Sequence, residues 1–266
     1  MLRGPPPPRR GGKRGAFRAA QRVIFARAAR VGLLAARGPT AAVDATGLAT
    51  HHVSAHYAYR YSPRYQTAYA QLHRGRPPKG RHRRPQHPKL TVAVHTASHL
   101  IAGALPSWGP AADATTLPPV VAQAVRLLRL RTVVADAGFD GEPNHVVCRE
   151  QLGVPQTVIR LNKRHGRRWP KTRYRRALRR RFPWRVYHRR QHVECVFSRD
   201  KRRLGAALTA RRRVHQDEEQ ILRVLTHNLM ILLSRAAASF QQSRCHPRPS
   251  ARSAAAVALA PPRARP

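Results

Sequence analysis

Two short apolar runs, VDATG and ADAGF, each carry a strand-like stretch into an aspartate and then a glycine. Runs of this length read as buried strands. Placed among helical patterns, they call for a sheet with helices packed against it. The first strand falls within 39–48. An alternating, aromatic-rich run over 51–61 reads as a second strand, and 73–89 as a flexible basic loop rich in Pro, Gly and Arg. Residues 90–105 read as a third strand or a hairpin. Apolar positions at helical spacing over 116–130, with proline near the start, predict a helix. A buried-type strand over 131–140 follows, then a helix over 142–153 closed by Gly153, and a short strand over 154–161. The last two helices are expected over 186–205, ending at Gly205, and over 217–240, where acids lie in the first turn. This order predicts a mixed α/β layer, a central sheet flanked by helices, as one domain over 38–240. There is no internal repeat.

Charge sets the partner. The 266 residues include 52 Lys and Arg against 11 Asp and Glu, a net charge of +41. Such an excess needs a polyanion, and nucleic acid fits better than an anionic membrane surface. No apolar run reaches the ~18 residues that span a bilayer, and the start lacks the apolar core of a signal peptide. Residues 1–37 read as a disordered basic arm and 241–266 as a disordered Pro/Arg/Ala-rich tail. Cys148, Cys195 and Cys245 are odd in number and widely spaced, so they form neither a disulfide framework nor a zinc motif. The expected compartment is a reducing cytoplasm. A GC-rich coding sequence also raises Arg and Ala, so the charge is not all evidence of binding.

Where acids are so few, each one is informative. Asp44 and Asp136 end strand-like runs, at the edge where an α/β sheet opens to ligands. Glu194 belongs to the run YHRRQHVECVFSRDK. There Tyr187, Arg190, Glu194 and Lys201 are separated by two, three and six residues, which puts all four on one helical face. Two Asp and one Glu brought together would make an oxygen-only site suited to hard divalent cations such as Mg²⁺. Plainer readings stand beside this one. A strand-end Asp also serves as a turn or cap residue, and such a stripe also serves as a solvated ion-pair face. Asp113 reads as a helix N-cap, Asp140 and Glu142 as loop or first-turn acids. His51, His52 and His56 lack the spacing of a zinc site. Residues 162–184 interleave cations with Trp169, Tyr174 and Trp184, a pattern suited to backbone-plus-stacking contact with nucleic acid.

These motifs resemble those of insertion-sequence transposases of the DDE class, in the group with the signature Tyr-x2-Arg-x3-Glu-x6-Lys. Tyr187, Arg190, Glu194 and Lys201 fill that signature without a gap, VDATGL resembles the first-Asp segment, and VVADAGFD with the following NH resembles the second. RRLGAALTARR and LRVLTHNLMIL resemble the region after the Glu, so the likeness spans roughly 39–234. The resemblance implies an RNase H-like fold, with Asp44, Asp136 and Glu194 as catalytic metal ligands for two Mg²⁺ ions, or Mn²⁺ in their place. It implies cleavage at transposon ends and strand transfer into target DNA. Tyr187, Arg190 and Lys201 would contact the end's backbone, in a homodimer or higher assembly on double-stranded DNA. The setting it implies is a bacterial or archaeal cytoplasm, in association with the nucleoid. The stretch before Asp44 is short for such a family, which adds a second expectation: a truncated, inactive DNA-binding remnant. The short interval from Asp136 to Glu194 argues against a large inserted β domain.

Overall fold

A computed structural model describes residues 11–34, 38–50, 87–109, 111–162 and 169–245. Its sheet has five strands: β1 (Thr40–Gly47), β3 (His87–His95), β4 (Ile101–Gly109), β5 (Thr132–Ala135) and β6 (Gln156–Ile159), with the two-residue β2 (Ala49–Thr50) following β1. The strand order is β4-β3-β1-β5-β6. β1 is central, antiparallel to β3 and parallel to β5, while β4 and β6 form the edges. The expected mixed α/β layer is therefore what the chain adopts.

Both faces of this sheet are dry, which is why its central strands are apolar at consecutive positions rather than alternately. Ala41, Val43, Val133 and Ala135 point to one side. They meet Leu117, Val120, Val121 and Ala124 of α2 (Leu117–Ala124) and Ile24, Phe25 and Ala28 of α1 (Gly11–Arg30). Ala42, Val92, Val94, Val134 and Val158 point to the other side, against Tyr187, Val193 and Val196. The period of two along each strand thus sorts neighbouring residues into two cores. α2 approaches β4 so closely that a Cβ on Gly103 would collide with the carbonyl oxygen of Val120, so only glycine fits there.

The N-terminal region corrects the sequence reading. Residues 11–30, expected to belong to a disordered arm, form α1 and bury Gln21, Ile24, Phe25 and Ala28. These positions recur three and four apart, a helical stripe masked by the surrounding arginines. Elsewhere the differences are smaller. The run over 90–105 is a hairpin, β3 and β4, whose first strand reaches back to His87. The helix expected over 116–130 is confined to α2 after a 3₁₀ turn, Asp113–Thr116. Asp113 is not the cap; it opens that turn and forms an ion pair with Lys89. The helix expected over 142–153 is α3 (Glu142–Val146) followed by a π turn, and Gly153, at φ +67°, closes it.

Further along lie α4 (Arg173–Arg180), α5 (Trp184–Tyr187), α6 (Gln191–Leu204), β7 (Ala207–Leu208) and α7 (Arg213–Cys245). β7 pairs in parallel with β2. The expected strand over 51–61, with its histidines, and most of the loop over 73–89 lie outside the described residues, as do 1–10 and 246–266. Among the described residues no helix is long and apolar enough to cross a membrane.

Candidate active site

Strand register sets the two aspartates side by side. Parallel pairing of β1 with β5 ends at Val43 opposite Ala135, so the next residues on the two strands are Asp44 and Asp136. Asp136 ends its strand as expected. Asp44 does not: β1 runs on to Gly47, held by its antiparallel pairing with β3. Each carboxylate anchors itself on the residue that follows. Asp44 Oδ1 accepts the Ala45 N–H at 2.8 Å, and Asp136 Oδ1 accepts the Ala137 N–H at 2.7 Å. The cap reading of Asp136 therefore holds for one of its oxygens.

The third acid arrives on α6. The single helix expected over 186–205 is in fact α5, a 3₁₀ turn (His188–Arg190) and α6. The tighter turn changes the rotation between Tyr187 and Arg190. Tyr187 is buried among Phe182 and Trp184, and its hydroxyl donates to Asp136 Oδ1 at 3.4 Å. Arg190 Nη1 meets Asp44 Oδ2 at 3.2 Å, while its Nη2 donates to Glu194 Oε1 at 2.6 Å. Lys201 lies two turns beyond Glu194, about 10 Å along the axis, and is half-buried. Tyr187 and Arg190, expected to face DNA, thus contact the acids, and no described hydrogen bond or ion pair joins Lys201 to them.

Electrostatics reflect this crowding. Burial raises the pKa of Asp44, and the charges of Asp136 and Glu194 raise it further, while the Ala45 N–H and Arg190 oppose the shift. Burial works against the charge on Arg190, but Glu194, Asp136 and Asp44 outweigh it and raise its pKa. Burial, then the charge of Asp136, raises the Tyr187 phenol. Among the described residues no three His, Cys, Asp or Glu side chains close into a ready metal cluster. What joins Asp44 to Glu194 is the Arg190 guanidinium.

Several supports of this site were not anticipated. His99, at φ +62° in the β3–β4 turn, shares a 2.9 Å hydrogen bond with His192 of α6 and a 3.1 Å one with Arg199. Its backbone oxygen accepts from His227 of α7, whose other ring nitrogen meets Asp200 at 2.6 Å. Arg189 donates to Thr40 Oγ1 at 2.8 Å. Together these fasten α6, and so Glu194, to the turn and to the start of β1. On the Asp136 side, Asp140 receives both Arg175 Nε and Nη2, at 2.9 and 2.8 Å. Glu142 accepts the backbone N–H groups of Tyr174 and Arg175, which lower its pKa against the effect of burial. Tyr174 donates to Glu150 at 2.6 Å. Three scarce acids therefore clamp the cationic α4 to the segment that follows Asp136. The scarcity of acids was the one sequence signal that could have flagged them.

No curated protein and no solved structure matches the chain. The helix-flanked sheet, with β1 between an antiparallel and a parallel neighbour, has the RNase H-like arrangement anticipated from the sequence. Comparison with known families aligns residues 36–229 with the Transposase DDE domain, a span that holds the whole sheet together with Asp44, Asp136 and Glu194, and by that match the chain belongs to this family.

Proposed function

We propose that the chain is an insertion-sequence transposase of the group with the Tyr-x2-Arg-x3-Glu-x6-Lys signature, cutting DNA at the ends of its element and joining them to target DNA. The observation that carries this reading is the β1–β5 register, which sets Asp44 beside Asp136 and in ionic reach of the helix that bears Glu194. A transposase of this family acts on DNA, and the net charge of +41 suits that partner.

Asp44, Asp136 and Glu194 are assigned as ligands for two Mg²⁺ or Mn²⁺ ions. The donor set fits, since all its atoms are carboxylate oxygens, the preference of hard cations. Burial first, and then the nearby charges of Asp136 and Glu194, raise the Asp44 pKa, and those negative charges favour a cation at that point. Such ions, when bound, lower the pKa of a water or 3′-hydroxyl and stabilise the leaving oxygen. The protein's part is to position. Asp44 and Asp136 are pre-oriented by their amide hydrogen bonds, so little reorganisation is needed. Tyr187 adds a hydroxyl donor to the same Asp136 oxygen that accepts the Ala137 N–H. Arg190 and Lys201 supply charge for the phosphates flanking the cut, which orients the duplex without reading its sequence. The working unit is assigned as a homodimer or higher assembly on paired ends.

Incubation with Mg²⁺ or Mn²⁺ and a duplex carrying the element's ends should give nicks and joined products. Glu194→Gln should remove both in a chain that still binds DNA. Tight binding with no cleavage by the native chain, on the correct ends, would instead support the inactive remnant.

A further inference from the structure

We infer that Arg190 is a latch on the acidic cluster: its guanidinium and a divalent cation compete for Asp44 and Glu194, so a DNA phosphate that draws Arg190 away raises affinity for metal. The inference rests on the assignment of Asp44, Asp136 and Glu194 as metal ligands.

Asp44 Oδ1 already accepts the Ala45 amide, so Oδ2 is the more available oxygen for a cation, and Arg190 Nη1 stands against it at 3.2 Å. The other terminal nitrogen holds Glu194 Oε1 at 2.6 Å. One planar fork thus occupies an oxygen on each of two acids that arrive from different elements. Arginine does not lose its charge in a protein, so deprotonation of the guanidinium cannot open this bridge. While both carboxylates are charged, only exchange of partners can.

The exchange is affordable in energy. The Glu194 side chain is 52% exposed, and ion pairs of that kind are weak, while the less exposed contact with Asp44 is the longer of the two, at 3.2 Å. A phosphate offers the same guanidinium an equally good two-pronged acceptor. Arg190 lies in the stripe that the signature assigns to DNA contact, yet it is found on the acids. The Nη1–Nη2 edge of its fork cannot bridge both carboxylates and grip a phosphate at once, so the two positions of that edge define two states. By linkage, metal must tighten DNA binding by the factor with which DNA tightens metal binding. The consequence is a chain whose metal site fills chiefly on its substrate.

The test is a Mn²⁺ titration read by the paramagnetic resonance of free Mn²⁺, with and without a short duplex, subtracting the Mn²⁺ held by the duplex alone. Without DNA, Arg190→Gln should bind Mn²⁺ about fivefold more tightly than the native chain, the low end of usual coupling factors. The duplex should tighten Mn²⁺ binding by the native chain and leave Arg190→Gln unchanged. Equal or weaker Mn²⁺ binding by a folded Arg190→Gln overturns the latch, as does equal tightening of both chains by DNA. Should that variant not fold, Arg190→Lys decides the matter: a single ammonium cannot bridge both acids as the fork does, so Mn²⁺ binding must tighten or the latch is wrong. Glu194→Gln separates this failure from failure of the metal assignment. If it leaves Mn²⁺ affinity unchanged, the assignment itself is wrong.

Discussion

Asp44 and Asp136 each turn one oxygen to the next backbone amide, a local habit of aspartate that needs no long-range contact. His145 shows the opposite case, a titratable group controlled wholly by its surroundings. It is fully buried, its Nδ1 is 2.7 Å from Thr157 Oγ1, and its Nε2 has no hydrogen-bond partner. Burial lowers its pKa from 6.5 to about 4, though Glu142 and Asp140 pull the other way. Between those values the unfolded chain holds more protons than the folded one, so stability falls as pH drops from 6.5 through about 4. The full effect is about 3 kcal/mol at most. In His145→Gln this part of the pH dependence should vanish. Urea unfolding at pH 7 and at pH 4.5 would check it, with the difference between the two, rather than either level, as the readout.

At the scale of elements, the edge strand β4 shows how helices complete the sheet. Asn228 of α7 accepts the Ile101 N–H at 2.8 Å and donates to the Ile101 oxygen at 2.9 Å, as a neighbouring strand would. The same amide donates to Gln21 of α1 at 3.0 Å, and Gln21 donates to the Ile101 oxygen at 3.3 Å. One buried amide therefore joins two helices to one strand and blunts the edge. Asn228→Ala would leave buried groups of Ile101 and Gln21 unpaired, at a cost of about 1–3 kcal/mol. The expected outcome is a lower unfolding midpoint with the denaturant slope unchanged, measured by circular dichroism. Removing residues 11–30 should lower it further, because that change also strips Ile24, Phe25 and Ala28 from the core.

For the molecule as a whole, charge governs the encounter with DNA. α4 and its flanks hold exposed Arg176, Arg180 and Arg181, with Trp169 and Trp184 exposed on either side, at 58% and 52%. Arg179 lies over the Trp169 ring and Arg160 over the Trp184 ring. If this surface touches the DNA backbone, log affinity falls linearly with log salt, by roughly 0.9 for each phosphate neutralised. Replacing Arg176, Arg180 and Arg181 with Gln should flatten that slope by about 2 to 3, as fluorescence anisotropy over a salt series would show. The sequence alone determined what depends on near neighbours: the strands leading to Asp44 and Asp136, the helical spacing that brings Arg190 to Glu194, the glycine stop at 153 and the excess of charge. It misread α1, because composition averaged away a stripe that only packing makes meaningful. Tertiary structure decided which acids share one neighbourhood. The β1–β5 register, the Arg190 bridge to Asp44, the His99–His192 contact and the clamp of Asp140 and Glu142 on α4 all join residues distant along the chain. Such contacts follow from how the two faces of the sheet are covered, and no local spacing encodes them.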